Sequence, residues 1–336
     1  MNRQITLAAR PVGVPQESDF ALVESEIPRP GAGEVLVRSL WLSLDPYMRG
    51  RMSDTRSYAK PTQIGEPMTG QVVGEVVESG DPRLAPGEVV VGQLGWQEHA
   101  VARGAALRKV DPALAPVQTA LHVLGITGLT AYFGLFDVGL PKPGDTVVVS
   151  AAAGAVGQIV GQLARIAGCG PVVGLAGGTE KVSDLTELYG YDAGIDYKGE
   201  GVNAALEEAC PNGVDVYFDN VGGTLSEVVF RRLALGARVP VCGQISQYNL
   251  VEPELAPRNL GFLIVFRARL EGFLVSDYTH RFDEGLRRLG GWLADGTLRY
   301  REDVTEGLEN APGAFIGMLN GANRGKTLVK IADPSG

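Results

Sequence analysis

The sequence predicts an α/β protein in which a doubly wound parallel sheet is joined to a smaller β-rich domain. Three observations predict this fold. Val147, Val148 and Val149 are consecutive β-branched residues, which is typical of a strand buried in a parallel sheet. Strand-like and helix-like segments alternate from there to residue 293. The first 122 residues contain short Val- and Gly-rich runs separated by turns, which indicates a barrel-like β domain.

In the β-rich part, segments 33–40, 70–77 and 84–91 are predicted strands, because Val-rich runs follow turns that contain Pro or Gly. Residues 117–124 and 127–136 are predicted to be helical, with breaks at Gly125 and Gly128. A turn over residues 141–144 then leads into the alternating region.

In the alternating region, hydrophobic periodicity assigns each element. The predicted strands are 147–149, 172–176, 193–197, 214–219, 237–242 and 269–275, and the predicted helices are 156–167, 180–189, 202–209, 225–235 and 282–293. In the tail, 311–319 is a predicted helix and 327–331 a predicted strand. We expect residues 1–122 and 300–336 to form one domain, into which the doubly wound domain, residues 123–299, is inserted.

The composition favours a cytoplasmic protein. Of the 336 residues, 21% are charged and 45% are hydrophobic, as in ordinary globular proteins. The net charge of −9 and the lack of a basic run argue against a nucleic-acid partner. Cys169, Cys210 and Cys242 lie far apart and do not suggest a disulfide framework. We identify neither a signal peptide nor a membrane span, so no membrane partner is expected.

Small residues follow the first strand of the alternating region. Ala151, Gly154 and Gly157 form an A-x-x-G-x-x-G pattern between that strand and an amphipathic helix. A turn of small residues lets backbone N–H groups approach a pyrophosphate, and the helix N-terminus faces the negative charge. Because a strand precedes the pattern and a helix follows it, the pattern predicts a dinucleotide site.

The end of the second strand discriminates between dinucleotides. An NAD-binding unit carries an Asp or Glu there, which binds the ribose 2′-hydroxyl. Here the strand ends at Ala176, and Gly177 and Gly178 follow, so no carboxylate at the strand end would repel a 2′-phosphate. Lys181 lies just beyond and can supply a positive charge. The sequence therefore predicts NADPH/NADP rather than NADH.

A zinc ion is not expected. A structural zinc site needs four closely spaced ligands such as cysteines, and the chain has three distant ones. A catalytic site would have to draw on His99, His122 or His280, and His122 lies in an apolar run that favours a packing role. Without a metal, hydrogen-bond donors must polarise a substrate carbonyl.

Eight short motifs form an ordered set along the chain. They are LDPYMR (44–49), GLTAY (128–132), SAAAGAVG (150–157), EK (180–181), YK (197–198), FDNVGG (218–223), CGQISQYN (242–249) and NRGK (323–326). With these motifs the chain resembles the zinc-independent medium-chain dehydrogenases/reductases, in the branch of prostaglandin reductases, alkenal double-bond reductases and curcumin reductase. The resemblance covers essentially the whole length. It implies a Rossmann NADP-binding domain, a GroES-like β-barrel catalytic domain and a homodimer.

The resemblance also implies a role for individual residues. The pyrophosphate would be held by Ala155, Val156, Gly157 and Gln158, the 2′-phosphate by Lys181, and the adenosine end by Tyr197. The remaining cofactor contacts would come from Thr130, Asn220, Cys242, Gly243, Ile245, Tyr248, Phe273, Leu274, Val275 and Asn323. Tyr47 and Tyr248 would border the substrate cavity. Gln247 stands where relatives often carry a smaller residue, which leaves the size of the substrate open.

The resemblance implies NADPH-dependent reduction of the C=C bond of α,β-unsaturated ketones and aldehydes (enones and 2-alkenals). Hydride would reach the β-carbon and a proton the α-carbon. The proton would come from Tyr248, whose ordinary pKa is about 10, or from water, and Tyr47 is interpreted as a packing wall. An NADPH quinone reductase and a non-catalytic NADPH-binding protein are the alternatives. A carbonyl-to-alcohol dehydrogenase is disfavoured because zinc ligands are missing.

Overall fold

The structure is a computed structural model that describes residues 1–256 and 258–335. It divides into two compact units. The interrupted unit comprises residues 1–122 and 302–336, and the inserted unit comprises residues 123–301. The insertion thus ends two residues beyond the predicted boundary at 299/300.

The bounds of the regular elements are as follows. The strands are β1 (Asn2–Leu7), β2 (Phe20–Ser25), β3 (Glu34–Ser43), β4 (Gln71–Ser79), β5 (Val89–Gln93), β6 (His99–Arg103), β7 (Arg108–Lys109), β8 (Val147–Ser150), β9 (Val172–Ala176), β10 (Ala193–Asp196), β11 (Val214–Phe218), β12 (Leu233–Val241), β13 (Arg269–Gly272), β14 (Glu302–Glu306) and β15 (Lys326–Lys330). The α-helices are α1 (Tyr47–Arg51), α2 (Ile126–Phe133), α3 (Gly157–Ile166), α4 (Thr179–Glu187), α5 (Val202–Ala209), α6 (Gly223–Phe230), α7 (Gly261–Phe266), α8 (Phe282–Ala294) and α9 (Ala311–Leu319). A π-helix over Gly134–Gly139 continues α2, and short 3₁₀ helices include Val117–Leu121, Ile245–Gln247 and Val275–Arg281.

The inserted unit is built on a six-stranded parallel sheet in the order β10-β9-β8-β11-β12-β13. The strand order reverses between β8 and β11, which is the topology of the Rossmann fold and confirms that prediction. Side chains alternate between the two faces along β8. Val147 and Val149 pack with α3, whereas Val148 packs with the core on the opposite face. Both faces of the sheet are therefore buried, as the run of β-branched residues predicted.

The interrupted unit contains a seven-stranded sheet in the order β14-β15-β3-β4-β5-β7, with β6 also paired to β3, and a hairpin of β1 and β2. Its core includes a cluster of three aromatic rings. Trp96 stacks on Phe20 at 5.8 Å and meets Phe315 of α9 edge-on at 5.6 Å, measured between ring centres. The tail therefore completes the core of the first 122 residues, in agreement with the predicted GroES-like β domain.

The prediction of a helix break at Gly128 was wrong, because Gly128 lies inside α2. A Cβ at this position would lie 2.0 Å from the carbonyl oxygen of Val123. The glycine thus serves close packing of the preceding chain against the helix, not a turn.

The predicted helix 225–235 was too long, because α6 ends at Phe230 and Leu233 already begins β12. β12 pairs with β11 at Val214 and again at Val216, with an irregularity between these pairs. Gly236 lies in that irregular stretch with a φ of +77°, a conformation that glycine adopts without strain.

Other boundaries also differ from the prediction. The strand expected over 269–275 ends at Gly272, and the helix expected over 117–124 is a 3₁₀ helix. The strand β14 and the short helix α7 were not predicted. Among the helices in the described residues, none has both the length and the apolar character that crossing a membrane requires.

Candidate active site

The turn between β8 and α3 is closely packed. Ala151 has a φ of +47°, in the left-handed region that favours glycine. Gly157 begins α3 directly against this turn, and a Cβ there would lie 2.3 Å from the carbonyl oxygen of Ala151. Ala155 and Val156 lead into the helix N-terminus, where backbone N–H groups can bind a pyrophosphate. The turn therefore fits a dinucleotide pyrophosphate.

Gln158 is fully buried, and its side chain is engaged within the fold. Its amide oxygen accepts a hydrogen bond from the Arg301 N–H at 2.8 Å, and its amide nitrogen donates to the Arg301 carbonyl at 3.3 Å. The backbone N–H of Gln158 donates to the Gly154 carbonyl at 3.0 Å. These bonds join α3 to the end of the inserted unit, and a pyrophosphate contact from Gln158 stays a prediction.

The end of β9 is followed by a small-residue loop. Ala176 ends the strand, Gly177 and Gly178 form the loop, and Gly178 has a φ of +96°. Lys181 is half-buried in the first turn of α4. A lysine at the N-terminal turn of this helix places positive charge where the second strand ends, which suits a 2′-phosphate.

A carboxylate does lie beside this strand end, on the neighbouring strand. Asp196 ends β10 and pairs in register with Ala176. Its Oδ1 accepts hydrogen bonds from the N–H groups of Gly178 at 3.0 Å and Lys198 at 2.9 Å. These two bonds lower the pKa of the Asp196 carboxyl. The charge of Asp196 is thus used to fix the loop between β9 and α4.

Tyr197 and Lys198 lie against the same loop. A Cβ on Gly177 would be 3.0 Å from the Tyr197 hydroxyl oxygen and 2.9 Å from Cε of Lys198. Burial, followed by the charge of Asp196, raises the pKa of Tyr197. An aromatic ring and an additional lysine therefore border the loop, and this set of residues fits the phosphorylated adenosine end of NADP.

The carboxyl ends of β9 and β10, described above, form one half of an edge of the parallel sheet, which we call the cofactor edge. The carboxyl ends of β8, β11 and β12 form its other half. The Asn220 side chain donates to the Ser150 carbonyl at 2.8 Å, and the Asn220 N–H donates to the Ser150 hydroxyl oxygen at 2.8 Å. The N–H groups of Cys242 and Gly243 both donate to the Asp219 carbonyl, at 2.8 and 3.2 Å. Burial, with a further contribution from Asp219, raises the pKa of the Cys242 thiol to about 12. The Cys242 thiol therefore stays protonated at neutral pH and does not act as a nucleophile.

Tyr248 follows the 3₁₀ helix Ile245–Gln247. Its hydroxyl oxygen accepts a hydrogen bond from the Gln244 N–H at 3.3 Å. A Cβ on Gly243 would lie 3.2 Å from the same oxygen, so the phenol rests over this backbone segment. The structure thus brings Tyr248 and Gly243 together, two residues assigned from the sequence.

The Gln247 side chain is directed towards the start of α6. A Cβ on Gly223 would be 2.6 Å from its Nε2. Nε2 donates to the Ser246 hydroxyl oxygen at 3.0 Å and to a Glu254 carboxylate oxygen at 3.4 Å. Gln247 therefore links the segment after β12 to residue 254.

The remaining predicted residues of the inserted unit lie on α2 and after β13. The Thr130 hydroxyl donates to the Ile126 carbonyl at 2.7 Å within α2. The Phe273 ring meets the Phe218 ring edge-on, with 6.2 Å between centres. Leu274 follows and is 36% exposed, and Val275 begins a 3₁₀ helix. Phe273 thus contacts the end of β11, beside the segment that carries Asn220.

In the interrupted unit, Tyr47 begins α1 and has a buried hydroxyl. Burial, followed by the charge of Asp45, raises the pKa of Tyr47. Asp45 is held by Lys326, which is 1% exposed and donates to a carboxylate oxygen of Asp45 at 2.8 Å and to the Leu44 carbonyl at 2.7 Å. The Arg51 guanidinium lies 5.6 Å from the centre of the Tyr47 ring. The tail thus fixes the loop that presents Tyr47.

Asn323 lies before β15 in the same unit. Its amide donates to the Gly325 carbonyl at 2.8 Å, and the neighbouring Arg324 N–H donates to Asp303 at 3.0 Å. These bonds stabilise the turn into β15. A contact of Asn323 with the cofactor stays a prediction.

Sequence reasoning assigned no role to three residues at this edge: Asp196, Lys198 and Asp219, the last two lying in the motifs YK and FDNVGG. Each ends or closely follows an observed strand of the parallel sheet, and the carboxyl ends of such strands meet at the ligand-binding edge. That positional rule could have identified them. Their hydrogen-bond partners could not be predicted, because they depend on strand register.

Comparison with known proteins agrees with this geometry. The family described as N-terminal domain of oxidoreductase matches residues 3–110, and the family described as zinc-binding dehydrogenase matches residues 155–290. Within the described residues, no three or more His, Cys, Asp or Glu side chains are grouped so that they could hold a metal ion.

Individual relatives match over nearly the whole chain. The NADPH-dependent curcumin reductase of Escherichia coli is 45% identical over 98% of this chain and 97% of its own length. The NADP⁺-dependent 2-alkenal reductase of Nicotiana tabacum is 42% identical over 98% of each chain. The crystal structure of CurA from Vibrio vulnificus in complex with NADPH has a TM-score of 0.95 and 46% identity, covering 99% of this chain and 100% of that one.

The fold, the cofactor edge and these matches together define an oxidoreductase of the medium-chain dehydrogenase/reductase family. Within that family the chain belongs to the zinc-independent branch that includes the curcumin, 2-alkenal and prostaglandin reductases. The predicted family is thereby confirmed.

Proposed function

We propose that this protein is an NADPH-dependent reductase of the C=C bond of enones and 2-alkenals. The observation that carries the proposal is the match over 98% of the chain to reductases whose names specify curcumin and 2-alkenals. The cofactor edge of the inserted unit supports it, because its small-residue turns and lysines suit NADPH. The interrupted unit would be the catalytic domain that binds the substrate, and the inserted unit the NADP-binding domain.

The chemistry divides between cofactor and protein. Bound NADPH would supply the hydride that reaches the β-carbon of the substrate. Hydrogen-bond donors held in place by the fold would stabilise the negative charge that develops on the carbonyl oxygen. The Tyr248 hydroxyl would donate a proton to the α-carbon. The Gln244 N–H, which already donates to that hydroxyl oxygen, would stabilise the charge left on the phenolate.

The reaction is tested by NADPH consumption over a panel of 2-alkenals, enones and simple quinones, with identification of each product. Saturated aldehydes and ketones are the expected products. Allylic alcohols would show that the C=O bond is reduced instead. Turnover of quinones alone would support a quinone reductase. Tight NADPH binding without consumption of any compound would support a non-catalytic binding protein.

The phosphate assignment is tested by Lys181→Ala. Removing a charge-assisted contact with the 2′-phosphate should weaken the binding of NADPH roughly tenfold or more, while the affinity for NADH changes little. Lys142→Ala is the matched control, because Lys142 is exposed and precedes the amino end of β8, at the opposite edge of the sheet. An equal loss for both dinucleotides would remove the assignment.

The proton donor is tested by Tyr248→Phe. If Tyr248 is the donor, turnover should fall by about 10²-fold or more while NADPH affinity changes little. Tyr278→Phe is the control, since the Tyr278 ring instead stacks on Phe133 at 4.8 Å between ring centres. Unchanged turnover in Tyr248→Phe would identify water as the donor and leave Tyr248 as a wall of the pocket.

We also infer a homodimer that pairs through β13. This strand is the last of the parallel sheet on its side, and its four residues are exposed. An exposed strand edge carries unpaired N–H and C=O groups, and the edge of a second copy can pair with it about a twofold axis. On α7, which packs against β12, Ile264 is 81% exposed and Val265 60% exposed. Apolar exposure beside a sheet edge favours burial against a second copy.

The dimer is tested by light scattering after size-exclusion chromatography. Wild type should be dimeric, and so should the control Val12→Asp, because Val12 is 83% exposed on the interrupted unit. Ile264→Asp should shift the protein towards a monomer, because a charge would be buried in the interface. A monomeric wild type at tens of micromolar, or a dimeric Ile264→Asp variant, would contradict the inference.

A further inference from the structure

A buried carboxylate, Asp219, lies immediately after β11 and is 2% exposed. Its Oδ1 accepts hydrogen bonds from the N–H groups of Val221 and Gly222, both at 3.0 Å, and from the Tyr217 hydroxyl at 3.0 Å. Its Oδ2 accepts the Ser226 hydroxyl at 2.6 Å. Val221 and Gly222 lead into α6, so the helix N-terminus also favours the negative charge. The carboxylate is therefore well solvated by protein groups despite its burial.

The backbone of Asp219 joins β11 to β12. Its N–H donates to the Pro240 carbonyl at 2.9 Å, and its carbonyl accepts the N–H groups of Cys242 at 2.8 Å and Gly243 at 3.2 Å. Ser150, at the end of β8, donates its hydroxyl proton to Oδ1 of Asp219 at 3.1 Å. The carboxyl ends of three strands are thus tied to one residue.

The place of this network in the sheet indicates what it positions. In a Rossmann fold the two halves of the dinucleotide lie on either side of the point where the strand order reverses, here between β8 and β11. The residues at the end of the second strand, β9, bind the adenosine ribose or its phosphate, so the β9 side of the sheet holds the adenosine half. β11 and β12 lie on the other side of β8 and therefore hold the nicotinamide half. Asn220 and Gly243, the neighbours of this network, are among the residues assigned to the cofactor.

We propose that Asp219 is a positioning residue that fixes Asn220 and the turn after β12, so that these groups hold the nicotinamide half in one orientation. This inference rests on the proposed NADPH-dependent function. In Asp219→Ala, the N–H groups of Val221 and Gly222 and the hydroxyl groups around them would lose their acceptor, which would release the segment that carries Asn220.

The adenosine half offers a matched control. Asp196 also accepts two backbone N–H groups in a loop after a parallel strand, at 3.0 and 2.9 Å. Asp196→Ala makes the same chemical change as Asp219→Ala at the other end of the cofactor edge. The two variants therefore separate an effect on one half of the cofactor from a general loss of order.

The test compares affinities for NADP⁺ and for adenosine 2′,5′-bisphosphate, a probe that lacks the nicotinamide half, by titration calorimetry on the full chain. Asp219→Ala should weaken binding of NADP⁺ roughly tenfold or more and leave binding of the bisphosphate within about twofold. Asp196→Ala should weaken binding of both ligands. A loss for both ligands, or for neither, in Asp219→Ala would overturn the inference. Failure of the wild-type chain to bind either ligand would instead refute the proposed function.

If Asp219→Ala does not fold, Ser226→Ala provides the second variant, because it removes only the donor to Oδ2. The affinity for NADP⁺ should then fall by a few-fold, while the affinity for the bisphosphate stays unchanged. An equal change for both ligands, or no change for either, would refute the positioning role.

Discussion

Gly157→Ala is the sharpest prediction from the geometry of the turn after β8. The new Cβ would lie 2.3 Å from the Ala151 carbonyl oxygen, and 2.6 and 2.9 Å from backbone carbons of Ala152. It must retreat by about 0.7 Å to reach 3.0 Å, a separation below which real Cβ atoms are essentially never found. All three atoms belong to backbone, so the start of α3 must move away from the turn.

Overpacking of this kind lowers the free energy of unfolding by about 1–3 kcal/mol. For a unit of this size, each kcal/mol lowers Tm by roughly 2–4 °C, so Tm should fall by about 2–12 °C. Displacement of the α3 N-terminus should also weaken NADP⁺ by roughly tenfold or more, because the backbone N–H groups no longer converge on the pyrophosphate.

The assay is differential scanning fluorimetry with and without NADP⁺, together with titration calorimetry. Gly291→Ala is the control, since Gly291 is exposed within α8 and nothing lies within 4 Å of its added Cβ. It should raise the free energy of unfolding by about 0.5–1 kcal/mol through helix propensity. A Gly157→Ala variant with wild-type Tm and affinity would refute the packing argument.

Three further predictions concern other sites. Lys326→Met should lower the free energy of unfolding by about 1–3 kcal/mol in chemical denaturation, because the Asp45 carboxylate, 15% exposed, loses its cationic partner and keeps the hydrogen bond from the Ser43 hydroxyl; an unchanged free energy of unfolding would contradict this. Ala151→Gly should raise Tm, since it relieves a φ of +47° that costs a non-glycine residue about 1 kcal/mol, and an unchanged or lower Tm would argue against strain there. Burial raises the pKa values of Cys169 and Cys210 to about 11 and of Cys242 to about 12. An aromatic disulfide reagent at pH 8 should therefore label these thiols slowly in the native protein and label all three after denaturation. Rapid labelling of the native protein would contradict those pKa values.

The sequence was most informative where the determinants are local. The helices α5 and α9 were predicted with their observed bounds, because hydrophobic periodicity and flanking glycine or asparagine define them within a few residues. The dinucleotide turn was recognisable because Ala151 to Gly157 are contiguous. The short helix α7 was missed, since six mostly apolar residues do not reveal a period.

The parts that could not be predicted depend on residues distant in sequence. Asp45 receives its hydrogen bond from Lys326, which is 281 residues away, and no local pattern links the two. Asp219 gains its partners only when β8, β11 and β12 lie in register. Asp196 was overlooked because the rule for dinucleotide specificity directs attention to the end of the second strand, whereas Asp196 ends the third.

The interrupted unit carries a consequence for biosynthesis. β3 pairs with β15 through contacts such as Ser43 with Leu328, so its sheet is complete only after residues 326–330 have left the ribosome. The inserted unit, residues 123–301, has by then been fully synthesised and can fold first. A nascent chain that stalls before Lys326 would therefore expose an open strand edge and an uncompensated carboxylate at Asp45, features that attract chaperones and proteases.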